Sequence, residues 1–195
     1  MKRRPMKPPF LLAAVLLVAC TDTREGGADS AVVRSPGDEA REIAVAVDRA
    51  APKLARRDWT GRMGDASASL SSFREGDALR LIRERLDRGD QGVASNRYYF
   101  ADGRLRYYES EGDVAVADSG QATTGTTGGT GAASRKQRLV LAFDMRGELV
   151  EGARQLGGET AAMDSTQVSG VRARAAELQR QEASTPPSPA PVPER

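Results

Sequence analysis

The chain of 195 residues contains no histidine, a single cysteine and a single tryptophan. Ser-His-Asp and Cys-His catalytic arrangements and His-ligated metal sites all need imidazole, so the composition excludes each of them. A lone cysteine also has no partner for an internal disulfide. Beyond residue 19 the lysines are Lys53 and Lys136, and neither forms a motif with a nucleophilic serine. With no cofactor or metal motif either, these absences argue against an enzyme.

The chain also lacks an excess of basic over acidic side chains once its first 19 residues are set aside. The formal net charge is +2, but Lys2, Arg3, Arg4 and Lys7 lie in a segment without acidic residues. After residue 19 the chain carries 25 basic and 27 acidic side chains. Because nucleic-acid binding requires a basic stripe or patch, we expect no nucleic-acid partner.

The first 19 residues are typical of an export signal. The four basic residues precede the apolar run Phe10–Ala19. At ~1.5 Å per residue this run would form a helix about half as long as a bilayer requires. The segment 1–19 is therefore predicted to be a signal peptide rather than a membrane-spanning anchor.

The signal ends in Leu17-Val18-Ala19-Cys20, which resembles the lipobox of bacterial lipoproteins. The resemblance implies cleavage before Cys20, a diacylglyceryl thioether on its sulfur and acylation of its new amine. Several acyl chains on one residue would hold the protein at a membrane. By the same resemblance, Thr21 gives no inner-membrane retention signal, so we expect the outer membrane, facing the periplasm.

Three segments of low complexity divide the rest of the chain. Residues 20–34 are small and polar, with a Gly-Gly pair, and are predicted to be a lipidated flexible tether. Residues 119–134 contain five Gly and five Thr and are predicted to be a disordered loop within the domain. Residues 184–195 contain five prolines and are predicted to be a disordered tail.

Two helices are predicted. Ser35-Pro36-Gly37-Asp38 places a hydroxyl at the N-cap, proline at the first position and an acid at the third, and Pro52 should end this helix near Ala51. A thinner stripe within residues 161–183 predicts a second helix, either packed on the domain or formed only against a partner. The first stripe is Ile43, Val47, Ala50 and Leu54, and the second is Val168, Val171, Ala175 and Leu178.

Three hairpins share one signature in the middle of the chain. Aromatic runs flank Asp102-Gly103, a strong signal for a two-residue turn. The order aromatic, turn with glycine, leucine recurs in Phe73–Leu79 and in Phe143–Leu149. Residues 77–86 also fit helical spacing, but the repeat favours a strand. This pattern resembles small bacterial lipoproteins with repeated YYF-x-DG-x-L hairpins, and the resemblance transfers no catalytic or binding residue.

We therefore expect an α+β fold for residues 35–160, an antiparallel meander of about six strands packed against the N-terminal helix. With a regular two-residue turn, Tyr98 faces Tyr107, and strand alternation divides the second hairpin into two faces. The face predicted to be exposed, a cation–π surface suited to protein or glycan contact, consists of Arg97, Tyr99, Arg106 and Tyr108. Ordinary cross-strand packing is the alternative for these four residues.

Together these patterns indicate a non-enzymatic lipoprotein of the cell envelope that binds an envelope protein or a glycan. One alternative is a carrier whose sheet and helix enclose a small apolar ligand or lipid. Another is an envelope hydrolase that uses paired carboxylates across a cleft. An open cavity between helix and sheet would favour the carrier, and a packed core would oppose it.

Overall fold

The computed structural model describes residues 34–116 and 133–185. In this part of the chain, eight antiparallel strands form one sheet in which every strand pairs with the next along the sequence. The predicted α+β meander is confirmed, although the expected count of about six strands was too low. The helices are α1 (Pro36–Ala50) and α2 (Ser165–Ser184). The strands are β1 (Ala55–Met63), β2 (Ala66–Glu75), β3 (Ala78–Asp87), β4 (Val93–Ala101), β5 (Arg104–Val116), β6 (Ala133–Phe143), β7 (Leu149–Leu156) and β8 (Glu159–Thr160).

Helix α1 starts as the sequence predicts. The hydroxyl of Ser35 accepts a hydrogen bond from the backbone N–H of Asp38 at 3.1 Å, and the Asp38 carboxylate accepts one from the Ser35 N–H at 3.4 Å. This capping box satisfies two N–H groups that the first turn leaves without partners. The helix gives way to a 3-10 turn at Ala51–Lys53, where Pro52 prevents its continuation. The buried stripe consists of Ala40, Ala44, Val47 and Ala51; of the predicted stripe, Val47 is buried and Ile43 and Leu54 are partly buried against the same cluster.

The three predicted hairpins are β2–β3, β4–β5 and β6–β7. Residues 77–86 lie mostly in β3, so the strand interpretation is confirmed over the helix. The turn between β4 and β5 places Asp102 and Gly103 at φ values of 52° and 72°. Two consecutive positive φ values are typical of a type I′ turn, whose twist matches that of the strands.

Each hairpin contains a β-bulge that the sequence pattern did not reveal. The extra residue follows the signature leucine directly in all three: Arg80 after Leu79, Arg106 after Leu105, and Val150 after Leu149. A bulge sets two residues opposite one and shifts the later side chains to the other face. As a result Tyr107 pairs with Tyr99 and Tyr108 pairs with Tyr98. The predicted pairing of Tyr98 with Tyr107 is therefore wrong.

Helices cover both faces of the sheet. On one face α1 packs on a cluster that contains Phe73, Leu81, Tyr99, Tyr107 and Ala142. On the opposite face α2 packs through Val171, Ala175 and Leu178 on a larger cluster, so the predicted C-terminal helix belongs to the same compact unit as the sheet. The larger cluster includes Leu70, Ile82, Leu86, Tyr98, Phe100, Tyr108, Leu139, Leu141 and Phe143.

Several predicted segments lie outside the described residues. These are the signal peptide 1–19, nearly all of the tether 20–34, and the tail beyond residue 185. The predicted loop 119–134 also lies there, except that β6 already begins at Ala133. Neither α1 nor α2 has both the length and the hydropathy that a membrane-crossing helix requires.

Candidate functional site

The four residues predicted as an exposed contact surface do not share a face. Tyr99 and Arg106 lie beneath α1, whereas Tyr108 lies beneath α2. All three have an exposed fraction of 5% or less, and Arg97 alone is exposed. The expected cation–π surface is therefore wrong, because the bulge at Arg106 reverses the alternation and each helix covers one of the faces.

Three of these residues, Arg97, Tyr99 and Arg106, instead fasten α1 to the sheet. The Tyr99 hydroxyl donates a hydrogen bond to Asp48 Oδ2 of α1 at 2.8 Å, and Arg97 Nη1 lies 3.8 Å from the same oxygen. Arg106 Nε donates to the carbonyl oxygen of Phe143 at 3.2 Å. Its Nη2 lies 3.2 Å from Glu39 Oε1, which is ion-pair distance without hydrogen-bond alignment. Ordinary packing, the alternative for these residues, accounts for their positions.

A buried polar network holds α2 on the opposite face. The Glu84 side chain is fully buried in β3, and Arg174 of α2 donates from Nε to its Oε1 at 3.0 Å. Asn96 Nδ2 and the Tyr98 hydroxyl donate to Glu84 Oε2 at 3.0 and 2.9 Å. The Tyr108 hydroxyl donates in turn to Asn96 Oδ1 at 3.1 Å. Because a buried carboxylate is costly without partners, this network ties α2 to one position over the sheet.

A second buried carboxylate secures the end of α2. Glu182 is 1% exposed and its Oε2 accepts a hydrogen bond from Arg74 Nη1 of β2 at 2.6 Å. Arg57 of β1 donates to the backbone carbonyls of Glu182 and Thr185 at 2.9 and 2.7 Å. A cation at a helix C-terminus satisfies carbonyl groups that lack partners within the helix. Both carboxylates therefore have structural partners and are covered by α2.

The tyrosines under the helices have displaced pKa values. Burial raises the pKa of Tyr108 to about 12, and the Glu84 carboxylate adds to the rise. Burial and the same carboxylate raise the pKa of Tyr98 further still. Burial and the hydrogen bond to Asp48 raise the pKa of Tyr99 as well. All three hydroxyl groups therefore keep their protons at pH values where an exposed tyrosine loses its own.

We expect the free energy of unfolding to fall as the pH rises from 10 towards 12. Unfolded tyrosines ionise near pH 10 whereas the folded ones stay protonated, so the unfolded state binds fewer protons in this window. The contribution is complete below pH 10, and Tyr108 alone accounts for about 2–3 kcal/mol of it. Urea denaturation at a series of pH values measures the effect. Tyr108→Phe should make the decline shallower, and an unchanged decline would contradict this assignment.

An open pocket lies beside α2, at the end of the sheet that carries the β4–β5 and β6–β7 turns. Its volume is about 390 Å³. Arg104 and Arg146 reach it from the two turns, and Arg172 and Gln179 reach it from α2. We call it the arginine pocket. Its apolar lining residues are Leu105, Phe143, Ala175 and Ala176.

Contacts within the pocket position two of its three guanidinium groups. Arg104 Nη1 donates to the carbonyl oxygen of Met145 at 2.8 Å, and Arg172 Cζ lies 5.2 Å from the centre of the Phe143 ring. Arg172 Nη2 is 3.9 Å from Glu148 Oε2, too far for a hydrogen bond. Neither Arg104 nor Arg146 forms an ion pair with an acidic side chain in the described ranges 34–116 and 133–185. The pocket thus has positive charge that the described part of the chain does not neutralise.

Two other surface depressions are less suited to a ligand. One of about 600 Å³ follows residues 134–138, but Arg138 there pairs with Glu109 at 2.7 Å and Lys136 lies 4.0 Å from Asp113. One of about 300 Å³ lies at the end of α1, where Arg83 packs over the Phe73 ring. Arg83 also pairs with Asp48. In the first depression two of the three basic side chains lie within 4.0 Å of an acid, and Arg135 has no ion pair among the described residues. In the second, Arg56 and Arg83 both pair with aspartates, whereas in the arginine pocket one of three arginines lies within 4.0 Å of an acid.

Sequence reasoning did not select the pocket residues. Arg104 follows the turn of the second hairpin and Arg146 lies within the turn of the third, and alternate turns of an antiparallel meander lie at the same end of the sheet. That adjacency was a usable signal. The contribution of Arg172 had no such signal, because it depends on the line along which α2 crosses the sheet.

The fold places the protein in the α+β class, as a continuous antiparallel meander between two helices. Comparison of the chain with models of known families, with curated proteins and with solved structures finds no match. Cys20, the predicted lipidation site, lies outside the described residues.

Proposed function

We propose that the protein is a non-enzymatic binding module of the cell envelope, held at a membrane by lipid on Cys20. Its partner is an envelope protein or a glycan. The observation that supports this proposal is the filled interior, because side chains occupy the space beneath both helices. Binding is then left to the outer surface, where two arginines of the arginine pocket have no ion pair among the described residues.

The same interior argues against a carrier of small apolar ligands or lipids. Such a carrier encloses its cargo between apolar walls. Here Phe100 and Leu178 are fully buried in the core between the sheet and α2, and Leu81 is fully buried on the side of α1. A molecule of lipid retained at one copy per chain in native mass spectra would favour the carrier instead.

The positions of the buried carboxylates argue against a hydrolase. A pair of catalytic carboxylates faces the substrate across a cleft. Glu84 and Glu182 instead pair with arginines and are buried between the sheet and α2. Both therefore have structural roles that are complete without a substrate.

Cys20→Ser should leave unprocessed precursor and abolish labelling by radioactive fatty acid. The thiol supplies the sulfur of the proposed thioether, and a hydroxyl does not replace it. Labelling in cells, followed by separation of inner and outer membranes, measures both the modification and the location. Thr21→Ser is the matched control and should be labelled and sorted to the outer membrane like the wild type. Labelling that survives in the Cys20→Ser variant would refute the lipid anchor.

A further inference from the structure

We propose that the arginine pocket binds the carboxylate side chains of an acidic peptide segment in a partner protein. This inference rests on the proposed binding function and specifies its site and its ligand. Three arginines converge there from two turns and one helix, beside apolar side chains. Arginine is the residue that best matches carboxylate geometry, because its planar group can donate two parallel hydrogen bonds.

The charges around the pocket favour a carboxylate ligand. Arg104 and Arg146 have no ion pair within the described residues, and the nearest acid to Arg172 is 3.9 Å away. The Met145 carbonyl and the Phe143 ring hold Arg104 and Arg172 in place. Binding a ligand there therefore costs less side-chain entropy than binding at mobile surface arginines. The pocket therefore offers partly preorganised donors without a matching internal acceptor.

The apolar lining favours a peptide over an isolated anion. Leu105, Ala175 and Ala176 line the same pocket as the guanidinium groups. A peptide segment carries both carboxylates and apolar groups, so a single ligand can contact both parts of this lining.

The shape and surroundings oppose an anionic membrane as the ligand. The pocket is concave, and its volume of about 390 Å³ lies at the lower end of the range for sites that hold small ligands. A flat bilayer would also meet the carboxylates of Asp102, Asp144 and Glu148 in and beside the same turns.

The test is a binding titration with the full-length lipidated protein in a neutral detergent. The probe is a fluorescent peptide of alternating glutamate and alanine, and the reference peptide carries glutamine in place of glutamate. We expect the glutamate peptide to bind, the glutamine peptide to bind at least about tenfold more weakly, and added salt to weaken binding. Equal binding of the two peptides, or no binding of either, would overturn the proposal.

Variants locate the site. Arg104→Gln and Arg146→Gln should each weaken binding of the glutamate peptide about tenfold or more, since each removes a charged donor. Arg62→Gln is the matched control, because Arg62 is also exposed and has no ion pair among the described residues, but lies at the opposite end of the sheet. A loss of the same size in all three variants would indicate non-specific attraction and refute the site. Anionic vesicles that compete with the peptide at the same pocket would assign it to a membrane surface instead.

Crosslinking in cells separates failure of the site from failure of the proposed function. If wild type and Arg104→Gln capture the same partner equally, the binding module stands and the arginine pocket is not its contact. If the wild type captures no envelope component at all, the proposed function fails together with the site. Loss of the partner in Arg104→Gln, with retention in Arg62→Gln, supports both.

Discussion

Replacing Arg174 with methionine is expected to lower the free energy of unfolding by about 3–5 kcal/mol. Arg174 is the one cation of the described residues that pairs with Glu84, whose side chain has no exposed surface. Its removal leaves a buried carboxylate supported only by Asn96 and the Tyr98 hydroxyl. Methionine keeps the unbranched aliphatic part of the arginine side chain. The fall in the free energy of unfolding therefore measures the lost charge more than lost packing. Chemical denaturation followed by circular dichroism measures it.

Arg180→Met on the same helix is the matched control. Arg180 forms an exposed pair with Glu177, so its loss should cost less than about 1 kcal/mol. The double variant Arg174→Met with Glu84→Gln removes both charges and keeps an amide oxygen as acceptor for Asn96 and Tyr98, so it should recover part of the stability. A loss below about 1 kcal/mol in Arg174→Met alone would show that the Glu84 pair does not hold α2.

Phe100→Ala is expected to lower the free energy of unfolding by about 3–5 kcal/mol. The Phe100 side chain is fully buried on β4, within the core cluster that joins the sheet to α2. Truncation removes a large apolar group and leaves a cavity that β-sheet hydrogen bonds prevent from closing. Val45→Ala is the control, because Val45 of α1 is 53% exposed and should change stability by less than about 0.5 kcal/mol. Thermal denaturation of the two variants compares them, and similar melting temperatures would contradict the assigned core.

Much of the local structure could be predicted because adjacent residues determine it. Ser35 and Asp38 form a capping box within four residues, and Asp102-Gly103 forms a turn within two. The repeated signature then resolved the ambiguity of residues 77–86 in favour of β3. In each case the interacting groups are close in sequence, so the local sequence is enough to predict the structure.

The missed strands have weak patterns of their own. β1 begins with Ala55, Arg56, Arg57 and Asp58, which do not resemble a strand with an apolar face. It forms because β2 offers a long row of backbone partners, and Trp59 packs against the core. β8 consists of two residues paired with the end of β7. Their partners, and not their composition, make both segments strands.

The candidate site was the least predictable part. The bulge at Arg106 moved Tyr108 to the face that α2 covers, and α1 covers the face of Tyr99 and Arg106, so three of the four predicted contact residues are buried. The arginine pocket depends on Arg172 meeting the turns of Arg104 and Arg146 across a distance that no local pattern records.

The sequence by itself determined the capped first helix, the three aromatic hairpins and the stripe of the second helix, since their signals are local. It also contains no histidine, and its resemblance to a lipobox around Cys20 is the basis of the predicted anchor. Only the tertiary structure decided which face each tyrosine occupies and which arginines remain unmatched at the surface. The reason is that bulges and helix crossings place together residues that are distant in the chain.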